Sequence, residues 1–267
     1  MQFYNSDYDN VESYIEQLTQ SNIKTNTLRR KIACMKVFYN YLKYQNIIEE
    51  NPFNQLRFQF RTEKVLPKTI PYDILKSIFI YLEQKVIVSK TDYQKQHAER
   101  NLLIISLLLS TGIRISELCH IHLKDINLSN KTLHIIGKGK KERILFLGDQ
   151  TTFNLLETYI NKTRNESNDF LFPGKHSLKP LSEQSVRLVI KRIVEQNNFS
   201  RTITPHMFRH SFATMLLDSD VDIRYIQQIL GHSSISITQI YTHVSHSKQK
   251  EILSSFNPMS VIHSEIE

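Results

Sequence analysis

The sequence predicts a mainly helical chain with one small β-hairpin, divided into a short helical N-terminal domain and a larger α+β domain. Three observations carry this. Val11, Tyr14, Ile15 and Leu18 recur at i, i+3, i+4, i+7, and Leu28, Ile32, Met35, Phe38, Tyr39 and Leu42 continue that period after Ser21-Asn22, the spacing that gathers apolar side chains on one helix face. Asn51-Pro52 closes the region, and Arg57 to Lys68 (RFQFRTEKVLPK) has mixed charge and no period. Lys131 to Ile136 and Glu142 to Leu147 flank Gly137-Lys-Gly-Lys-Lys141, which reads as two strands and a tight turn. The domains are placed at 1–60 and 69–267, with residues 61–68 as the linker.

The second helix spans about Thr25 to Tyr44 and presents Lys24, Arg29, Arg30, Lys31, Lys36 and Lys43 beside its apolar stripe. These charges are either a solvated face or contacts to phosphates. Beyond Ile70, Asn101 to Ser110 is apolar enough to be buried all round, with Gly112 just past its end. Further helices are expected at Asp149 to Thr163 and Ser182 to Gln196. Another starts at Thr204, followed by Pro205, whose missing N–H costs little in a first turn. Phe208, Phe212, Met215 and Leu216 form its core face.

The chain has 267 residues and 40% hydrophobic composition, enough for two modest cores. Its 34 Lys and Arg exceed 26 Asp and Glu, a formal net charge of +8, which favours a polyanionic partner, nucleic acid first. Residues 1–62 hold eight basic and six acidic side chains, so both domains are mildly basic. Cys34 and Cys119 are too few for a disulfide framework or metal cluster and are read as small core residues in a reduced compartment. The N-terminus lacks a signal-peptide profile, and the longest apolar run, Leu102 to Leu109, is too short to cross a bilayer. A cytoplasmic protein without a membrane partner is expected. There is no HExxH, no Cys/His set with ligand spacing and no EF-hand pattern, so chemistry without metal or other cofactor is expected.

Three segments carry the chemistry: Thr111-Gly-Ile-Arg114-Ile-Ser-Glu117, His206-Met-Phe-Arg209-His210, and Gly231-His232 followed nine residues later by Tyr241. Guanidinium groups match a phosphodiester with paired N–H donors, so Arg114 and Arg209 suit the charge that develops as phosphorus is attacked. His206 and Arg209, three apart on a helix, should share a face. Lys138, at the hairpin tip, can reach into a groove and donate a proton. Tyr241 has an ordinary pKa of about 10 and attacks well only if cations and a nearby base favour loss of its proton. His210, His243 and His246 are left as bystanders.

Arg114, Lys138, His206, Arg209, His232 and Tyr241, in that order, resemble the tyrosine recombinase (phage integrase) family, specifically its simple, Xer-like, two-domain type. The resemblance covers residues 66 to 250 well and the first 60 in general character. It implies a helical, SAM-like core-binding domain at 1–60 and a catalytic domain at 69–267 that ends in a tail. It implies a site-specific recombinase that cleaves DNA by attack of Tyr241, holds a 3′-phosphotyrosyl intermediate and rejoins strands without metal or ATP. Lys138 is then the general acid, His232 a scissile-phosphate ligand, and Glu117 a residue that orients the site. Arg29, Arg30, Lys36, Lys43, Lys140 and Lys141 are DNA-contact candidates. The implied partners are double-stranded DNA with an inverted-repeat site and three further copies of the chain, a tetramer on two duplexes. Ile252, Leu253 and Phe256, at helical spacing in the tail, are expected to dock on a neighbouring protomer. A type IB topoisomerase-like relaxation activity and a non-catalytic DNA-binding protein of the same fold remain the alternatives; a metal-dependent nuclease lacks its carboxylate cluster.

Overall fold

The structure, a computed structural model, describes residues 8–21, 23–54, 68–137, 141–163, 169–175, 179–231, 246–264 and 266; Lys138, Lys140, His232, Tyr241 and most of the linker lie outside them. The chain divides into two compact units, Met1–Leu66 and Pro67–Glu267.

The first unit contains α1 (Tyr8–Gln20), α2 (Thr25–Tyr44) and a 3-10 turn at Pro52–Asn54. Val11, Ile15 and Leu18 pack with Leu28, Ile32, Tyr39, Leu42 and Phe53. Asn51 makes the turn part of this core: its amide donates to Asn40 Oδ1 at 2.6 Å and its carbonyl oxygen accepts from the Phe53 N–H at 2.9 Å. Phe53 then packs against Tyr39, ring centroids 5.4 Å apart and planes tilted by 49°. Cys34 departs from expectation, since it is exposed. It lies two residues after buried Ile32, about 200° round the helix, and so faces away from the core. Cys119 is buried, and burial pushes its thiol up to about 12.

The second unit is built around α4 (Asp92–Thr111), which packs against α3 (Tyr72–Ile87), α6 (Gln150–Thr163) and α8 (Pro205–Asp218). Leu102 to Thr111 is buried without a break, as a helix apolar on every side requires. The helix starts earlier than its apolar run suggests, because the Thr91 hydroxyl accepts from the Gln94 N–H and caps a polar first half. Gly112 ends it at φ 61°. A Cβ there would lie 2.5 Å from Phe212 and 2.7 Å from Leu230, so glycine is needed for the left-handed turn and for the close approach of two helices.

After the short α5 (Ile115–Cys119) comes a three-stranded antiparallel sheet, β1 (Ile126–Asn127), β2 (Thr132–Ile136) and β3 (Glu142–Phe146). The predicted hairpin is β2 with β3, in a register running from Thr132↔Phe146 to Ile136↔Glu142. β1 is additional and pairs Ile126 with Leu133. The remaining helices are α7 (Glu183–Gln196), α9 (Ile223–Leu230), α10 (His246–Ser255) and α11 (Pro258–Ser264). Among the described residues, no helix is long and apolar enough to cross a membrane.

The tail is seated differently from the expected docking on a neighbour. Ile252, Leu253, Met259 and Ile262 are buried within the second unit's own core, and only Phe256 of the expected apolar set is exposed. A truncation at residue 247 would therefore uncover this chain's own core, and loss of association in such a protein would not by itself report docking in trans. Gly148 is where the tail crosses, since a Cβ there would overlap the Leu253 carbonyl. Gly148→Ala should cost about 1–3 kcal/mol through this overpacking. At about 2–4 °C per kcal/mol for a domain of this size, a lowered calorimetric midpoint checks it.

Candidate active site

Two helix ends and one strand make the site. α4 and α9 both stop at a left-handed glycine, Gly112 (φ 61°) and Gly231 (φ 65°), which turns their last carbonyls inward, where the negative ends of the helix dipoles attract cations. Arg209, on α8 and only 7% exposed, donates from Nη1 to Gly112 O and from Nη2 to Leu230 O, both at 2.7 Å. Arg114 leads into α5. Its Nη2 lies 3.5 Å from Gly231 O, while its Nη1 donates to Glu117 Oε1 at 2.9 Å and its backbone N–H to Glu117 Oε2 at 3.0 Å. The two arginines thus meet at the consecutive carbonyls of residues 230 and 231, immediately before His232 in sequence. The Arg114 side chain is 32% exposed and can face a ligand.

Sequence reasoning missed Arg143. It stands on β3 opposite Ile135 and grips Glu117 with both ends of its fork, Nη1 to Oε1 at 3.0 Å and Nη2 to Oε2 at 2.7 Å, while Nε donates to Ile229 O at 3.2 Å. One signal was available. In Arg143-Ile-Leu145-Phe-Leu147, strand alternation puts the arginine on the same inward side as two leucines, and an inward arginine requires a partner.

Burial alone would raise the Glu117 carboxyl. The Arg143 hydrogen bonds, the Arg114 N–H, the Arg143 charge and the Arg114 side-chain hydrogen bond outweigh it and hold the group at about 2. A carboxylate depressed in this way stabilises the fold fully above its ordinary value near 4.5, and the contribution is lost as pH falls toward 2. Glu117→Gln should therefore flatten acid unfolding between those limits, measured as the thermal midpoint by circular dichroism against pH; an unchanged acid limb would refute the assignment. Arg209 is also lowered, to about 10, first by burial and then by the neighbouring Arg114 and Arg143 charges, with Glu117 opposing. It stays charged at neutral pH.

His206 sits at the start of α8, exposed, one turn before Arg209. Burial first, and then electrostatic interaction with His206 and with Arg209, lower the His210 imidazole. The Thr204 hydroxyl makes no capping bond, and Pro205 alone marks the helix start. Gly137 ends the described part of the hairpin beside the site: its N–H donates to Lys141 O at 2.7 Å, and a Cβ on it would lie 3.2 Å from Glu117 Oε1. The described residues therefore bring Arg114, Glu117, Arg143 and Arg209 together, with His206 at the edge. The expected roles of Lys138, Lys140, His232 and Tyr241 fall outside them.

Residues 81–248 match the sequence profile of the Phage integrase family. The chain belongs to this family of tyrosine recombinases. It is 48% identical to a tyrosine recombinase of Agathobacter rectalis, over 98% of this chain and 89% of that relative. It is 32% identical to tyrosine recombinase XerC of Bacillus subtilis, over 96% of this chain and 83% of XerC. The fold is similar to that of XerH site-specific recombinase, solved bound to its difH substrate in a pre-cleavage complex, at a TM-score of 0.66 and 22% identity over 99% of this chain and 71% of XerH. In this recombinase fold, Gly231 leaves room for Arg143, which shares the Glu117 carboxylate with Arg114, while Arg209 bonds the carbonyls of Gly112 and Leu230.

Proposed function

We propose that this chain is a site-specific DNA recombinase that works through a 3′-phosphotyrosyl intermediate on Tyr241. The observation that carries this is the convergence of Arg114 and Arg209 on the carbonyls that precede His232, which gathers two guanidinium cations where that segment begins. In the proposed cycle the Tyr241 oxygen attacks phosphorus as its proton passes to a nearby base, which returns it when Tyr241 is released, and the bond from phosphorus to the 5′-oxygen breaks. Lys138 donates a proton to that leaving oxygen. Arg114, Arg209, His206 and His232 hold the non-bridging oxygens, and Glu117 orients Arg114. A 5′-hydroxyl from the partner strand then attacks the phosphotyrosine and frees Tyr241. The number of phosphoester bonds is conserved throughout, so ATP is not required, and in this reading the guanidinium groups supply the charge stabilisation that a metal supplies elsewhere.

The proposed substrate is double-stranded DNA with an inverted-repeat site, bound by four copies on two duplexes. Family membership supports a DNA partner, as does the exposure of Arg29, Arg30, Lys36, Lys43 and Lys141. Arg29, Lys36 and Lys43 recur every seven residues, two helical turns, and form one basic ridge along α2 suited to successive phosphates. In this reading residues 1–60 are the core-binding domain, 61–68 the linker and 69–267 the catalytic domain.

The test is incubation of the protein, with EDTA present, with a nicked suicide substrate drawn from DNA flanking its gene, followed by denaturing gel and peptide mapping. The expected product is a covalent 3′-linked adduct on the Tyr241 peptide. Specific binding with no adduct, or an adduct formed only with metal, would overturn the mechanism.

A further inference from the structure

We propose that Arg143 is a positioning residue of this site: it neutralises Glu117, so that the charge of Arg114 stays available to the scissile phosphate. The inference rests on the recombinase reading above. Arg143 is committed to protein partners through its whole guanidinium group, Nε included. Its side chain is 13% exposed, and all three guanidinium nitrogens are engaged, two by the Glu117 carboxylate and one by the Ile229 carbonyl. The space for it is made by two glycines. A Cβ on Gly231 would lie 3.1–3.4 Å from Arg143 Cδ, Nη1 and Nε, and one on Gly137 would lie 3.6 Å from Nη1. One side chain on β3 thus ties together the hairpin base before Lys138, the end of α9 before His232, and the carboxylate that orients Arg114.

Charge explains why an arginine is needed there. Glu117 Oε1 accepts from Arg143 Nη1 and Arg114 Nη1 at once, at 3.0 and 2.9 Å. With Arg143 present the carboxylate is divided between two cations, and three arginines around one carboxylate leave an excess of positive charge for an entering anion. Without Arg143, Glu117 would pair wholly with Arg114 and oppose the phosphate that Arg114 has to hold. A buried ionic cluster of this kind is weak evidence for stability, whereas a group that orients a reacting residue typically affects activity by about 10–100-fold.

The experiment measures single-turnover cleavage of the suicide substrate at saturating DNA, beside DNA affinity and the unfolding midpoint, for wild type, Arg143→Met, and Arg143→Met with Glu117→Gln. Arg143→Met should slow adduct formation by about 10–100-fold with affinity within about twofold of wild type, and the double variant should recover about tenfold or more of that loss. Recovery on removing the carboxylate is what a merely structural staple would not show. A single variant that cleaves at the wild-type rate, one that loses affinity in step with rate, or a double variant no faster than the single would each overturn the proposal. If Arg143→Met fails to fold, Arg143→Lys and Arg143→Gln decide: lysine keeps the cation and should cleave close to the wild-type rate, glutamine should be about 10–100-fold slower at unchanged affinity, and equal rates for the two would refute the charge argument. Failure of wild type to form any adduct would instead refute the recombinase mechanism, so the two are distinguishable.

Discussion

Tyr241→Phe should abolish the covalent adduct while leaving DNA affinity within about twofold of wild type, because it removes a single oxygen and almost no surface. The chain has 12 tyrosines, so the claim is that none of the other eleven can substitute. A phenol reacts well when its proton is easily lost, and burial in an apolar helix works against that. Tyr159, packed in the core, is pushed up to about 12. A nucleophilic tyrosine needs the opposite surroundings, and the described structure offers partly buried positive charge at Arg114, Arg143 and Arg209. The segment that follows Gly231 leads directly from this cluster, with Tyr241 ten residues on. The check is quantitative gel analysis of adduct beside a binding isotherm. Residual adduct from the phenylalanine variant would assign the nucleophile elsewhere.

How much of this was legible beforehand depended on whether the signal was local. The bounds of α2, Thr25–Tyr44, follow from a 3.6-residue period within one segment, and Gly112 was identifiable as a cap because the apolar run stops just before it. The first half of α4 was missed because Asp92 to Arg100 is polar and shows no stripe; only the Thr91 cap announces it. Cys34 was placed in the core by residue type, although its position on α2 turns it outward. Arg143 shows the deeper limit. Its inward register could be read from the alternation, but its partner Glu117 lies 26 residues earlier, and the pairing exists only once the sheet folds against the end of α9. The family resemblance implies a tail that docks on a neighbouring protomer, and its apolar spacing is consistent with that. That spacing states that Ile252 and Leu253 need a core, and says nothing about whose.

Arg209→Ala should lower single-turnover cleavage by about 10²–10³-fold, the usual cost of removing one preorganised donor to a developing oxyanion, with only a small change in folding stability. The two effects separate because opposing terms meet at this residue. Two charge-assisted hydrogen bonds to Gly112 O and Leu230 O at 2.7 Å favour the native state, each worth about 1.5–3 kcal/mol. Against them stand the desolvation of a nearly buried guanidinium and repulsion from Arg114 and Arg143, the influences that bring Arg209 down to about 10. Deletion removes gain and cost together. The anion that would relieve this repulsion is a phosphate, so the arginine's main contribution appears when DNA is bound. Arg209→Lys sharpens the test: it retains a cation but loses the planar fork, and should restore DNA affinity without restoring the rate. Stopped-flow quench measurements beside thermal unfolding decide it. A variant that cleaves normally, or one whose lost rate is matched by a collapse of the fold, would show that Arg209 is a structural brace between two helix ends and not a transition-state clamp.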